Sequence, residues 1–177
     1  MRQSWIILLC AFGAALVPAA VARAEVADTA VKAAFLPRFA HYVTWPASAI
    51  PPGGDPFVLC VVGADPFGQQ LDEAARSQSI DGRRIVVKHL DSAQGADGCQ
   101  IAFVDGTNAH PTGQILAALA RDPVLTVTDA DSSGQRGIIH FVVVGGRVRF
   151  FIDQSAAAQR GLTISSRLLA LAVGVRK

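Results

Sequence analysis

Arg147 and Arg149 lie two residues apart in the run Arg147-Val-Arg-Phe-Phe-Ile152. On a strand that spacing sends both side chains to one face. Two guanidiniums so placed can hold a carboxylate or another small anion bidentately, with an aromatic such as Trp45 stacking on the ligand. The alternative reading is a solvated edge face. Phe35, Phe39 and Trp45 fit either a ligand or partner platform or an ordinary core. Cys60 and Cys99 are the other reactive pair. Cys60 sits inside the apolar run Phe57-Val-Leu-Cys-Val-Val62, where a thiol is inert, and no C-x-x-C motif is present.

Other chemistry is conspicuous by its lack of pattern. The chain has no G-x-S-x-G, no H-E-x-x-H and no Walker loop, and Gly63-Ala-Asp-Pro-Phe-Gly68 lacks the lysine and glycine spacing of a phosphate cradle. That segment reads as a strand-to-helix turn. Asp129-Ala-Asp131-Ser-Ser133-Gly134 copies the first six places of a calcium loop, but its twelfth place is His140 where a bidentate Glu is needed, so a polar turn is expected. The four histidines, His41, His89, His110 and His140, are scattered, with no pair at metal-ligand spacing. No nucleophile, base and orienter can be proposed together, so an enzyme is the least supported class and no cofactor or metal is implied.

The compartment in which these residues work is suggested by the front of the chain. Met1-Arg2 gives a charged start, Trp5 to Val17 is a 13-residue apolar run, and Ala22-Arg-Ala24 supplies small residues for cleavage. As a helix that run rises only about 20 Å, short of the ~30 Å hydrocarbon core. Residues 1–24 are therefore expected to be a cleaved secretory signal, and 25–177 a single exported domain. Cys10 is preceded by Leu9 and not by a small residue, so a lipid anchor is not expected. Loss of Arg2 and Arg23 leaves 14 basic against 14 acidic residues of the original 16 and 14. A neutral chain offers no basic surface for nucleic acid. With Cys10 removed, Cys60 and Cys99 are an even pair in an oxidising compartment, and a disulfide is the natural reading; a buried free pair and a thiol catalyst are the alternatives.

The elements that must position these residues follow from periodicity. Val31, Phe35, Phe39, Tyr42 and Val43 recur at helical spacing, predicting a helix over Asp28 to Val43 capped by Asp28 or Thr29, kinked at Pro37 and ended by Trp45-Pro46. Phe57 to Val62 reads as a buried strand, and Asp65-Pro66 as a helix start running to Arg76. Further strands are expected at Arg84 to Leu90, Gln100 to Val104, Val124 to Thr128, Ile138 to Val144 and Arg147 to Ile152. The last two flank Gly145-Gly146, which suits a tight hairpin. Helices are expected at Thr112 to Arg121, Ser155 to Arg160 and Ser165 to Val173. Strands alternating with helices and then a hairpin predict an α/β sandwich: a mixed sheet flanked by helices in one domain.

Five segments in order resemble the YfiR-like family of periplasmic proteins. They are Lys32-Ala-Ala-Phe-Leu36 with Phe39 and Trp45-Pro46; Val58-Leu-Cys-Val-Val-Gly-Ala-Asp-Pro-Phe-Gly68; Cys99 before a strand; Leu125-Thr-Val-Thr-Asp129; and Gly161-Leu-Thr-Ile-Ser-Ser-Arg-Leu-Leu-Ala-Leu-Ala172. The chain departs from the family pattern at Pro37-Arg38 and at Phe151-Ile-Asp153, changes that bear on a partner surface more than on the fold. The resemblance implies a secreted, usually homodimeric α/β protein. Its partner would be the periplasmic sensor region of an inner-membrane diguanylate cyclase, which it represses. It also implies a disulfide between Cys60 and Cys99. The competing expectation is a periplasmic small-molecule-binding protein with Arg147 and Arg149 as its anion site.

Overall fold

The structure is a computed structural model that describes the backbone of residues 19–130 and 134–177 and the side chains from residue 26 onward. It opens with helix α1 (Ala19–Phe39), a one-turn 3-10 helix at Ala40–Tyr42 and strand β1 (Val43–Thr44). Then come β2 (Phe57–Gly63), α2 (Gln69–Arg76), β3 (Ser79–Ile80), β4 (Arg83–Leu90) and β5 (Ile101–Asp105). After α3 (Thr112–Ala118) follow β6 (Leu125–Asp129), β7 (Ile139–Val144), β8 (Arg147–Asp153) and α4 (Gln154–Gln159). The chain ends with β9 (Thr163–Ile164), α5 (Ser166–Leu171) and β10 (Gly174–Arg176).

Eight strands form one mixed sheet in the order β10-β8-β7-β6-β5-β2-β4-β3. Pairings β4-β2-β5-β6-β7 and β8-β10 are parallel, while β3-β4 and the β7-β8 hairpin are antiparallel. The architecture is thus the expected α/β class. Gly145 and Gly146 both have positive φ, 59° and 68°, as a type I′ hairpin turn demands.

One face of the sheet carries Leu59, Phe103, Leu125, Phe141 and Phe150, against which α1 packs Ala33, Leu36 and Phe39, α2 packs Leu71, and α5 packs Leu168. On the other face the helical cover lies over β2 and β5. There Val58, Cys60, Val62, Ala102 and Val104 meet Ile115 of α3, Leu119, and Ala96 and Cys99 at the 3-10 turn Ala96–Gly98. β2 and β5 are therefore apolar on both sides, which explains their unbroken hydrophobic runs.

Several expected boundaries move, each for a local reason. Helix α1 begins before Asp28, because Ala19 to Ala27 consists largely of strong helix formers and needs no cap there. It ends at Phe39, and Val43 belongs to β1 instead, drawn out by antiparallel pairing with Ile164. Asp65 does accept hydrogen bonds from the N–H groups of Phe67 and Gly68, at 2.9 and 3.2 Å, yet α2 starts only at Gln69. Gly68 sits at φ 51° and ψ −136°, outside the helical region, and delays it. The final helix stops at Leu171, and the chain continues as β10 alongside β8. Asp153 and Ser165 cap α4 and α5, accepting from the N–H groups of Ala156 and Leu168.

Candidate functional site

The second face of the sheet carries no helix where β7, β8 and β10 lie, and this is where the chemistry-bearing residues gather. Along β8, Val148, Phe150 and Ile152 turn toward the helices, so Arg147, Arg149 and Phe151 project from the opposite face. Arg147 and Arg149 are both exposed, paired in register with Val144 and Val142 of β7. Val144 is 53% exposed, so the arginines border an apolar surface. The predicted shared face is thus the one left uncovered.

Two residues further along the same strand, Phe151 floors a cavity of about 390 Å³ lined also by Arg136, His140, Asp153, Val175 and Arg176. The Arg136 guanidinium lies over the Phe151 ring, 5.1 Å from its centroid. Asp153 uses its two oxygens separately. Oδ1 accepts from Ser155 Oγ and the Ala156 N–H, both at 2.8 Å, while Oδ2 meets Arg176 at 3.3 Å. Gly174 makes room for the ring, since a Cβ there would stand 2.9 Å from Phe151 atoms.

His140 is buried at the cavity wall, 2.8 Å from Thr128 Oγ1 through its Nδ1. Burial and then the Arg136 charge push its pKa below the usual 6.5, against a smaller opposing pull from Asp129. It is therefore held neutral. Asp129 itself, the first residue of the calcium-like segment, is ion-paired with Lys32, and both side chains are buried. Residues 131–133 of that segment lie outside the described residues. Among the described residues no group of three metal-ligating side chains comes together.

The aromatic candidates are placed in the core. Trp45 is 6% exposed, donates its indole N–H to the Gln100 carbonyl at 3.1 Å and meets Phe57 edge-on. Phe39 is buried, and Phe35 stacks on it at 5.9 Å while also touching Phe150. None of the three shares the face of Arg147 and Arg149. Cys60 and Cys99 form a disulfide, with Cα atoms 5.9 Å apart, inside the normal range. It ties β2 to the turn before β5. Three participants, Lys32, Arg136 and Arg176, escaped sequence reasoning. The signal that could have found Lys32 is a lysine on the apolar stripe of α1, one turn before Leu36, whereas Arg136 and Arg176 carry no local signal.

The chain is thus a mixed α/β sheet stapled by one disulfide, with α1, α2 and α5 on one face and α3 over part of the other. The model of the YfiR/HmsC-like family matches residues 29–173, and the chain belongs to that family. No curated protein matches it. Among the described residues no helix is long and apolar enough to cross a membrane.

Proposed function

We propose that this protein is a periplasmic, non-enzymatic regulator that binds the periplasmic sensor region of an inner-membrane diguanylate cyclase and holds the enzyme inactive, lowering cyclic di-GMP and with it biofilm signalling. The observation that carries this reading is membership of the YfiR/HmsC-like family over residues 29–173. Residues 1–24 act as the export signal, and residues 25–177 work in the periplasm as a homodimer. The disulfide and the bare sheet face fit this role: the first suits an oxidising compartment, and the second offers apolar Val144 bordered by Arg147 and Arg149.

Repression by binding requires differential affinity. A regulator that bound active and inactive cyclase equally would shift nothing, so the docking face must fit the inactive form more tightly. Reduction of the Cys60–Cys99 bridge would loosen the turn that carries Cys99 and release the partner. The test is deletion of the gene with measurement of cellular cyclic di-GMP, alongside capture of membrane proteins by the tagged mature chain. A rise in the nucleotide and recovery of a cyclase are expected. Unchanged cyclic di-GMP in a strain that makes the captured cyclase overturns the reading.

A further inference from the structure

The cavity beside β8 is built for more than packing. Its floor is the Phe151 ring, its sides are Val175 and the Gly174 backbone, and its polar groups are two guanidiniums, one imidazole and one carboxylate. The carboxylate is committed: Asp153 caps α4 through Oδ1 and meets Arg176 through Oδ2. Arg136 is held over Phe151 and has no acidic partner among the described residues.

Thr128 Oγ1 lies 2.8 Å from the Gly137 nitrogen, which can only donate to it. The hydroxyl keeps its proton and a second lone pair for His140 Nδ1, also 2.8 Å away, so this contact suits either ring tautomer. With the hydroxyl donating, a neutral ring carries its proton on Nε2, where it has no protein acceptor among the described residues. The cavity wall then presents the Arg136 guanidinium fork and one imidazole N–H, with Arg176 adding positive charge at the rim.

We propose that this cavity is a binding site for a small organic anion, its carboxylate or phosphate held by Arg136 and the His140 Nε2–H and its apolar body laid on Phe151. The site goes beyond the regulatory reading and does not depend on it. It also differs in place from the exposed Arg147 and Arg149 pair, which no described cavity encloses. A volume of about 390 Å³ suits a ligand of metabolite size. The guanidinium fork supplies paired donors to either head group, and the ring supplies apolar area without demanding a particular body.

The test uses the purified protein and three probes of one shape: benzoate, phenyl phosphate and benzylamine. Calorimetry reads affinity, and the His140 ring resonances report occupancy of this site. The two anions should saturate and shift the His140 signals, whereas the cation should not. Arg136→Gln should weaken anion binding about tenfold, and Arg136→Lys should recover only part of it because the fork is lost. Phe151→Ala should weaken all anions by a similar factor. Preference for benzoate assigns a carboxylate ligand, and preference for phenyl phosphate a phosphate ester. No saturable shift at millimolar probe, equal binding of benzylamine, or affinity unchanged in folded Arg136→Gln overturns the proposal. Cyclase capture by the same variants is scored separately, so failure of the anion site leaves the regulatory reading standing, and the converse.

Discussion

The strands β2 and β5 are covered on both faces, whereas β7 and β8 are covered on one. In the first region Leu59 and Phe103 face the helices while Cys60 and Val104 face α3 and the disulfide, and all four are buried. In the second, Phe141 and Phe150 are buried on the helix side, but the reverse side shows Thr128, His140, Val144, Arg147 and Arg149. One sheet therefore does two jobs. Its doubly covered half supplies stability, and its open half supplies Arg147 and Arg149, which stay in water beside the buried Thr128 and His140. Stability and recognition are separated along a single set of hydrogen-bonded strands.

The largest effects should separate the two halves. Phe103→Ala removes a fully buried ring between two packed layers and should cost about 3–5 kcal/mol. Phe151→Ala, on the open face, should cost less than about 1.5 kcal/mol. Urea unfolding measures both, and comparable losses would abolish the distinction between the halves.

Lys32→Ala should come next. It leaves Asp129 buried without its ammonium partner, a loss of about 3 kcal/mol or more. Pairing it with Asp129→Asn should restore part of that, because the uncompensated charge is gone. Non-recovery in the double variant would show that Asp129 acts through its other contacts and not through the pair. Removing the disulfide by Cys60→Ala with Cys99→Ala should cost about 2–4 kcal/mol, since it closes a loop with a separation of 39 residues. The loss should appear in hydrogen exchange of β2 and β5 before that of β8. Uniform loss across the sheet would mean that the halves unfold as one unit.

The same division explains what could be read in advance. Buried strands such as β2 declare themselves as continuous apolar runs, and the hairpin declares itself through Gly145-Gly146, because these signals are local. Asp153 and Ser165 are legible as caps for the same reason. β1, β9 and β10 have two or three residues each and exist because partners far along the chain pair with them, so periodicity cannot show them. The cavity is hidden more deeply still. Arg136, Phe151 and Arg176 come from a turn, a strand and the chain's last strand, and only the β7-β8-β10 pairing gathers them. Arg147 and Arg149 were readable because their relation is a spacing of two. The Lys32–Asp129 pair lies between these cases, one half flagged by its position on an apolar stripe and the other not.

The smallest effect concerns pH and belongs to the open half alone. His140 is held neutral by burial and by Arg136, with Asp129 opposing, so its folded pKa lies below the 6.5 of the free side chain. Between those two values the unfolded chain binds a proton that the folded chain does not. Stability then rises with pH through that window, and falls as the solution is acidified below about pH 6.5. A single group contributes at most about 1.4 kcal/mol per pH unit, so the effect is modest. Arg136→Gln removes one of the two forces lowering the pKa, so it should bring the folded value closer to 6.5 and reduce the acid destabilisation without moving its onset. His140→Asn, which keeps a polar group near Thr128 but cannot titrate, should remove this contribution entirely. Unfolding midpoints compared at about pH 5 and pH 7 read the difference. If His140→Asn retained the full acid sensitivity of the parent, the proton would be entering elsewhere.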